Sequence, residues 1–312
     1  MTNKRDVVVI GGGAAGLAAA TWLGRHRIKT TLLDSGEYRN RWVDQAHGYL
    51  GRDPVNPHDL LEQARKDLAR YAEVELAPGR VTGAARAGQG FDLEVDGRKL
   101  QSQRVILATG VQDEFPEIDG FFEHYGASVF HCPTCDGYEA RERKVVVFGW
   151  KQQVAGFALR LLDWASEVVL VTDGKPFEGE QECRVALDHA GIRILRDEAV
   201  ELTGGRGDLR SVRLASGAEV DCDLAFFSIA HHPRNDLAKQ LGCDLDDEGR
   251  VVVDDMQRTN VRGVYAVGDL TPGVQLLQIA AAKGASAGVC CALSLLDEHG
   301  ATAEYKEMKE ES

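Results

Sequence analysis

Cys132-Pro133-Thr134-Cys135-Asp136 is where the residue types and spacing point most directly to chemistry. Two residues between thiols put the sulfurs within disulfide reach. In such pairs one thiol becomes more acidic, so a nucleophilic thiolate is available near neutral pH. Asp136 follows at once, placed to give a proton to a thiolate or take one from a thiol. Zinc would need four ligands. His124, His131 and Cys183 supply no second pair at zinc spacing, so no metal is expected. The other five cysteines stand outside any motif. Cys290 and Cys291 fall in an Ala-rich helical stretch and read as small core residues.

A second group of residues suits a dinucleotide. Gly11-Gly12-Gly13-Ala14-Ala15-Gly16 follows an apolar run and opens a helical pattern. Gly11 permits the tight turn, Gly13 lets a pyrophosphate approach the backbone, and Gly16 lets helix and strand pack closely. The bare N–H groups of the helix start attract anions. Asp34, eighteen residues past Gly16, ends the next strand, where a carboxylate can accept ribose hydroxyls. Ile106-Leu107-Ala108-Thr109-Gly110 reads as a buried strand ending in a small residue and glycine. Tyr265-Ala266-Val267-Gly268-Asp269 ends in a carboxylate that can meet a ribityl hydroxyl of a flavin.

A second fingerprint of this kind is expected mid-chain, and most of it is missing. The segment reads Gly149-Trp150-Lys151-Gln152-Gln153-Val154, with bulky side chains where a pyrophosphate needs glycine. Asp173, at the end of the following strand, would repel a 2′-phosphate and suit NADH better than NADPH. It also reads as an ordinary turn residue in Thr172-Asp173-Gly174.

These groups need strands and helices in alternation to hold them. Strands are expected at 6–10, 29–34, 144–148 and 167–171, and helices at 14–26 and 153–164. The repeated strand–turn–helix–strand order indicates an α/β fold with two Rossmann-like dinucleotide-binding domains, the second inserted into the first. Crossovers rich in polar residues and proline, at 110–128 and 230–249, set the expected boundaries. Residues 1–115 plus 240–312 make the first domain, and 116–239 make an inserted NAD(P)-binding-like domain carrying the Cys pair. The charged segment 304–312 reads as a solvated tail.

Composition limits the function classes. A 44% hydrophobic and 27% charged mix is globular and excludes disorder over most of the length. A net charge of −13 opposes nucleic-acid binding. No run of eighteen apolar residues lacks a charge, so no membrane span is expected. The apolar stretch 7–23 reads as a glycine-loop unit rather than a signal peptide, because no small-residue cleavage site fits. Seven cysteines without secreted-scaffold spacing suit a reducing cytoplasm.

Taken together, these motifs resemble the thioredoxin reductase family of small FAD-dependent disulfide oxidoreductases, over nearly the whole chain. The resemblance implies that Gly11, Gly13 and Gly16 hold the FAD pyrophosphate and that Cys132 and Cys135 are the redox pair. It implies Cys135 beside the flavin, Cys132 attacking the substrate, and Asp136 as the acid after the second Cys. It gives Asp269 and Gln278 to the C-terminal flavin-binding segment. Thr109 and Gly110, at the end of their strand, are expected at the cofactor site from the motif itself. A homodimer, and thioredoxin or a small disulfide or dithiol as substrate, are further implications. The family's His-Arg-Arg clamp for NADPH is absent from Thr172 to Gly174. The stretch from Asp34 to Asn40, with His47-Gly48-Tyr49-Leu50-Gly51, is more similar to the branch holding the gliotoxin and holomycin dithiol oxidases. That likeness gives Asn40 and His47 as flavin contacts. In that branch a His follows the second Cys, where this chain has Asp136.

Several functions are compatible with these residues: a disulfide reductase fed by NADPH or NADH, a dithiol oxidase that passes electrons to O2, and a reductase fed by another donor such as ferredoxin. Outside enzymes, a flavin-binding redox sensor with Cys132–Cys135 as its switch also fits.

Overall fold

The structure, a computed structural model, describes residues 4–298. The chain forms two compact units. Of the described residues, one holds 4–41, His58–Gln112 and 232–298, and the other holds Trp42–Pro57 and Asp113–His231. The second is thus inserted into the first. The excursion Trp42–Pro57, expected with the first domain, groups with the second. Arg206 holds it there, donating to the Asp44 carboxylate at 2.6 Å and to the carbonyls of Trp42, Glu123 and Tyr125. Gly126 closes the same contact, since a Cβ there would meet the Trp42 carbonyl at 2.3 Å. The helix Asp236–Leu241, which the expected boundary at 239/240 divides, belongs to the first unit. Leu237 and Ala238 enter that unit's core, and Gln240 accepts from the Ala84 amide at 2.8 Å.

In the first unit Lys4–Ile10 pairs in parallel with Thr30–Asp34 on one side and Arg98–Leu107 on the other. Val74–Pro78 extends the sheet in parallel, Gly90–Val95 and Val81–Ala87 extend it antiparallel, and Val264–Ala266 pairs in parallel with Arg98–Leu107. The run Val7-Val8-Val9-Ile10 is buried because both faces of this parallel strand are covered. Val7 and Val9 enter one apolar cluster, Val8 and Ile10 another, as the two-residue period of a strand requires.

The helices Ala14–Arg25 and Leu277–Glu298 lie against one another in the first cluster. Their approach depends on glycine. A Cβ at Gly284 would meet the Ala15 carbonyl at 2.0 Å, and one at Gly288 the Ala19 carbonyl at 2.6 Å. Leu277–Leu296 is, among the described residues, long and apolar enough to cross a membrane, with Lys283 inside the stretch.

The second unit repeats the plan. Five parallel strands run in the order Arg193–Leu195, Glu167–Val171, Lys144–Phe148, Leu224–Phe227, Val129–Phe130. A three-stranded antiparallel sheet, Ala199–Gly205, Asp208–Leu214 and Glu219–Asp221, covers part of it through Leu202, Leu209, Val212 and Val220. The strands of the two crossovers, Val111–Glu114 and Ala230–Pro233, pair with each other.

Candidate active site

Strand Val129–Phe130 delivers the chain to the cysteine turn. Cys132 caps the four-residue helix Pro133–Asp136, and Pro133 at its first position suits a helix start. Cys132 and Cys135 are joined in a disulfide with their Cα atoms 5.2 Å apart. The turn is held by amides: Cys135 and Asp136 donate to the Cys132 carbonyl at 3.1 and 3.0 Å, and Gly137 to the Pro133 carbonyl at 2.8 Å. Cys132 Sγ also accepts from the Cys135 amide at 3.1 Å, the polarisation that favours a thiolate at this sulfur. Trp164 fills the space under Gly137, where a Cβ would lie 2.7 Å from the indole ring.

Asp136 is 8% exposed. Burial first, and then the Glu139 carboxylate, push its pKa up to about 7. It is therefore divided between acid and base near neutral pH. Glu139 Oε1 lies 3.5 Å from His47 Nε2, and His47 Nδ1 lies 3.3 Å from Asp53. Glu139 Oε2 is buried without a hydrogen-bond partner.

The first unit holds the other group. Gly11 has φ +112, and a Cβ there would lie 2.2 Å from the Ala108 carbonyl. At Gly16 a Cβ would lie 1.8 Å from the Gly11 carbonyl, but at Gly13 it would meet nothing within 4 Å. The helix start at Gly13 carries no side-chain cap and no acidic residue in its first turn. Uncapped amides beside an open glycine fit an anionic pyrophosphate. Asp34 is held beside this loop. It accepts from Arg65 at 3.1 Å and from the Gly36 amide at 3.0 Å. These features fit the adenosine-diphosphate half of FAD.

The remaining expected residues are placed as follows. Thr109 Oγ1 donates to the Arg234 carbonyl at 2.7 Å, and Gly110 adopts φ +66 and accepts from the Arg234 amide. Asp269 accepts from Arg39 at 3.1 Å, and the same guanidinium donates to Gln275 at 2.7 Å. Gln278 is exposed in the first turn of Leu277–Glu298. Asn40 belongs to the first unit and His47 to the second, so the structure does not gather these two in one unit. Arg39, Arg65, Gln275 and Glu139 were missed by sequence reasoning. Arg39 and Asp269 stand 230 positions apart, and no local motif marks that pair.

In the second unit the turn after Lys144–Phe148 carries Trp150 and meets Lys175 from the next turn. Trp150 packs on the unit's core, its carbonyl accepts from the Glu178 amide at 2.7 Å, and Lys175 Nζ lies 3.3 Å from the centre of its ring. Asp173 sits in the left-handed region at φ +54, 3.7 Å from Lys175. Gly149 is closed in as well, since a Cβ there would meet the Ser228 carbonyl at 2.8 Å.

The family model described as pyridine nucleotide-disulphide oxidoreductase matches residues 5–284. The chain belongs to this family. Thioredoxin reductase tcpT of Claviceps purpurea is 29% identical over 95% of each chain, and thioredoxin reductase sirT of Leptosphaeria maculans 28% over 91% of this chain and 92% of its own. Among solved structures HlmI is 33% identical with a TM-score of 0.90, covering 100% of this chain and 99% of that one. An oxidoreductase from Agrobacterium tumefaciens is 35% identical with a TM-score of 0.82, covering 94% and 99%. Within the pyridine nucleotide-disulphide oxidoreductases the chain is thioredoxin reductase-like, with likeness to the HlmI, tcpT and sirT branch. It is an FAD-dependent thiol–disulfide oxidoreductase.

Proposed function

We propose that the protein reduces a disulfide of a thioredoxin-like protein or a small molecule, passing electrons between FAD and Cys132–Cys135. One observation carries this reading: a disulfide at the mouth of a short helix, directly followed by a buried carboxyl with a pKa of about 7. Gly11, Gly13, Gly16 and the helix amides would hold the pyrophosphate, and Asp34 the ribose. Asn40, His47, Thr109, Gly110, Asp269 and Gln278 are proposed around the rest of the cofactor. FAD held there would supply two-electron chemistry between a nicotinamide nucleotide, NADPH or NADH, and the disulfide.

The protein residues carry out the exchange. Cys132, as thiolate, attacks the substrate disulfide and forms a mixed disulfide. The leaving thiolate takes the Asp136 proton. Cys135 then attacks Cys132, the original pair re-forms, and the second substrate thiol departs. Five further cysteines are free thiols, which supports a reducing cytoplasm as the compartment. A homodimer is proposed from the family resemblance.

A second reading, oxidation of a substrate dithiol with O2 as acceptor, is favoured by the Trp150–Lys175 pair, which stands at the turn a nicotinamide nucleotide would need. Anaerobic titration of the oxidised holoenzyme with NADPH and then NADH, followed by flavin absorbance, separates the two. Rapid bleaching supports the reductase. No bleaching, in protein that a dithiol does reduce, supports the oxidase.

A further inference from the structure

Asp136 must regain a proton after each exchange, yet it is 8% exposed. Gly137 continues the helical path with φ −67 and ψ −30 from Pro133–Asp136 into the short helix Tyr138–Ala140. Asp136 and Glu139 are therefore three residues apart on one helical face, where side chains are neighbours. Glu139 has one oxygen within 3.5 Å of His47 Nε2 and the other buried with no hydrogen-bond partner. On its far side His47 meets Asp53, whose side chain is 56% exposed. A carboxyl with one oxygen toward an imidazole and the other unpartnered can take a proton on the first and release it from the second. Imidazole suits a carrier beside Glu139, because its two nitrogens let it take a proton on one side and give it on the other.

We propose that Glu139 and His47 form the proton path that reloads Asp136 from solvent, with Asp53 orienting the imidazole. The proposal rests on the disulfide-exchange reading above. The proton balance closes without any co-reactant. The substrate S–S bond breaks, the Cys132–substrate bond forms, and the Asp136 proton goes to the leaving thiolate. Glu139 then passes a proton to Asp136, His47 returns one to Glu139, and solvent restores His47. The charged groups facing this path are Glu139 for Asp136, and Glu139 with Asp53 for His47. Glu139 and His47 act through Asp136 and are positioning residues for the proton.

The test follows the Asp136 carboxylic-acid infrared band in the oxidised holoenzyme after a rapid drop in pH, with Asp136→Asn fixing the assignment. His47→Ala should slow recovery of the band by about ten-fold or more, and added imidazole should restore it. Glu139→Gln should slow it similarly and gain nothing from imidazole. Asp53→Asn leaves the imidazole in place and should give an intermediate rate, so the proposal stands tested even if His47→Ala folds poorly. Wild-type band kinetics in the variants, including any that lose turnover, overturn the proposal. Failure of the parent reading appears elsewhere, as disulfide reduction that survives Cys132→Ser.

Discussion

Lys175 holds its ammonium 3.3 Å from the centre of the Trp150 ring. The pair bridges the turns that follow two adjacent strands, Lys144–Phe148 and Glu167–Val171. A dinucleotide fold uses the first turn for pyrophosphate and the end of the second strand for ribose. Here an indole and a cation stand at these two turns, in contact with each other.

A contact of this kind is worth about 0.5–1 kcal/mol at an exposed site, so Lys175→Ala alone costs little stability, whereas Trp150→Gly also gives up the ring's packing on the unit's core. Trp150→Gly combined with Lys175→Ala should strengthen binding of NADH to the holoenzyme by about ten-fold, equivalent to about 1.4 kcal/mol. NADH should gain more than NADPH, because Asp173 remains to repel a 2′-phosphate. Fluorescence titration of both nucleotides measures this. Equal affinities in the wild type and the variant would show that the pair is no barrier.

The sequence made most of this legible where chemistry is local. The glycine loop, the strand Lys144–Phe148 and the Cys turn each depend on residues within a few positions, and the expected strands and helix starts match to within two residues. Long-range contacts were not legible. Nothing near Trp42 announces that Arg206, more than 160 positions away, ties that excursion to the second unit. Arg39–Asp269 and Arg65–Asp34 are hidden for the same reason. Bulky residues at Trp150 predicted a lost fingerprint, but the cation that covers the ring comes from the next turn and could be found only in three dimensions.

The two glycines Gly13 and Gly16 should separate cofactor binding from folding. A Cβ at Gly13 enters open space, whereas one at Gly16 collides with the Gly11 backbone. Gly13→Ala should therefore leave the apoprotein melting temperature within about 2 °C of wild type while lowering FAD affinity, since a methyl group would stand where the pyrophosphate approaches. Gly16→Ala should lose about 1–3 kcal/mol of stability as well, because backbone must shift to admit the methyl. Apoprotein melts and FAD titrations check both. Equal effects of the two on stability would contradict the open cradle at Gly13.

The Cys132–Cys135 disulfide lies in the second unit and the glycine loop in the first. Cys132→Ser and Cys135→Ser should each abolish disulfide exchange while FAD stays bound at wild-type stoichiometry, because a serine hydroxyl can form neither the mixed disulfide nor the internal one. Flavin absorbance together with turnover of a small disulfide reads both properties. Activity retained in both variants would end the assignment of this pair.

Asp136 gives two linked pH effects. Its folded pKa of about 7 lies above the ordinary value near 3.9. Between those values the folded state holds more protons than the unfolded state, so stability falls as pH rises through the interval. The sign is that of a raised carboxyl: its contribution is favourable below about pH 4 and fully lost above about pH 7, a span of about 4 kcal/mol. Asp136→Asn removes the cost of ionising a buried group. The variant should melt well above wild type at pH 8, with most of that gain gone at pH 4.5. Catalysis should move the other way. The protonated form serves the leaving thiolate, so wild-type turnover should decline above about pH 7. Asp136→Asn should lower it by about 10²–10⁴-fold and remove that inflection. Thermal melts at the two pH values and a pH–rate profile test both arms. A variant as pH-sensitive as wild type in both would transfer the titration, and the acid role with it, to another group.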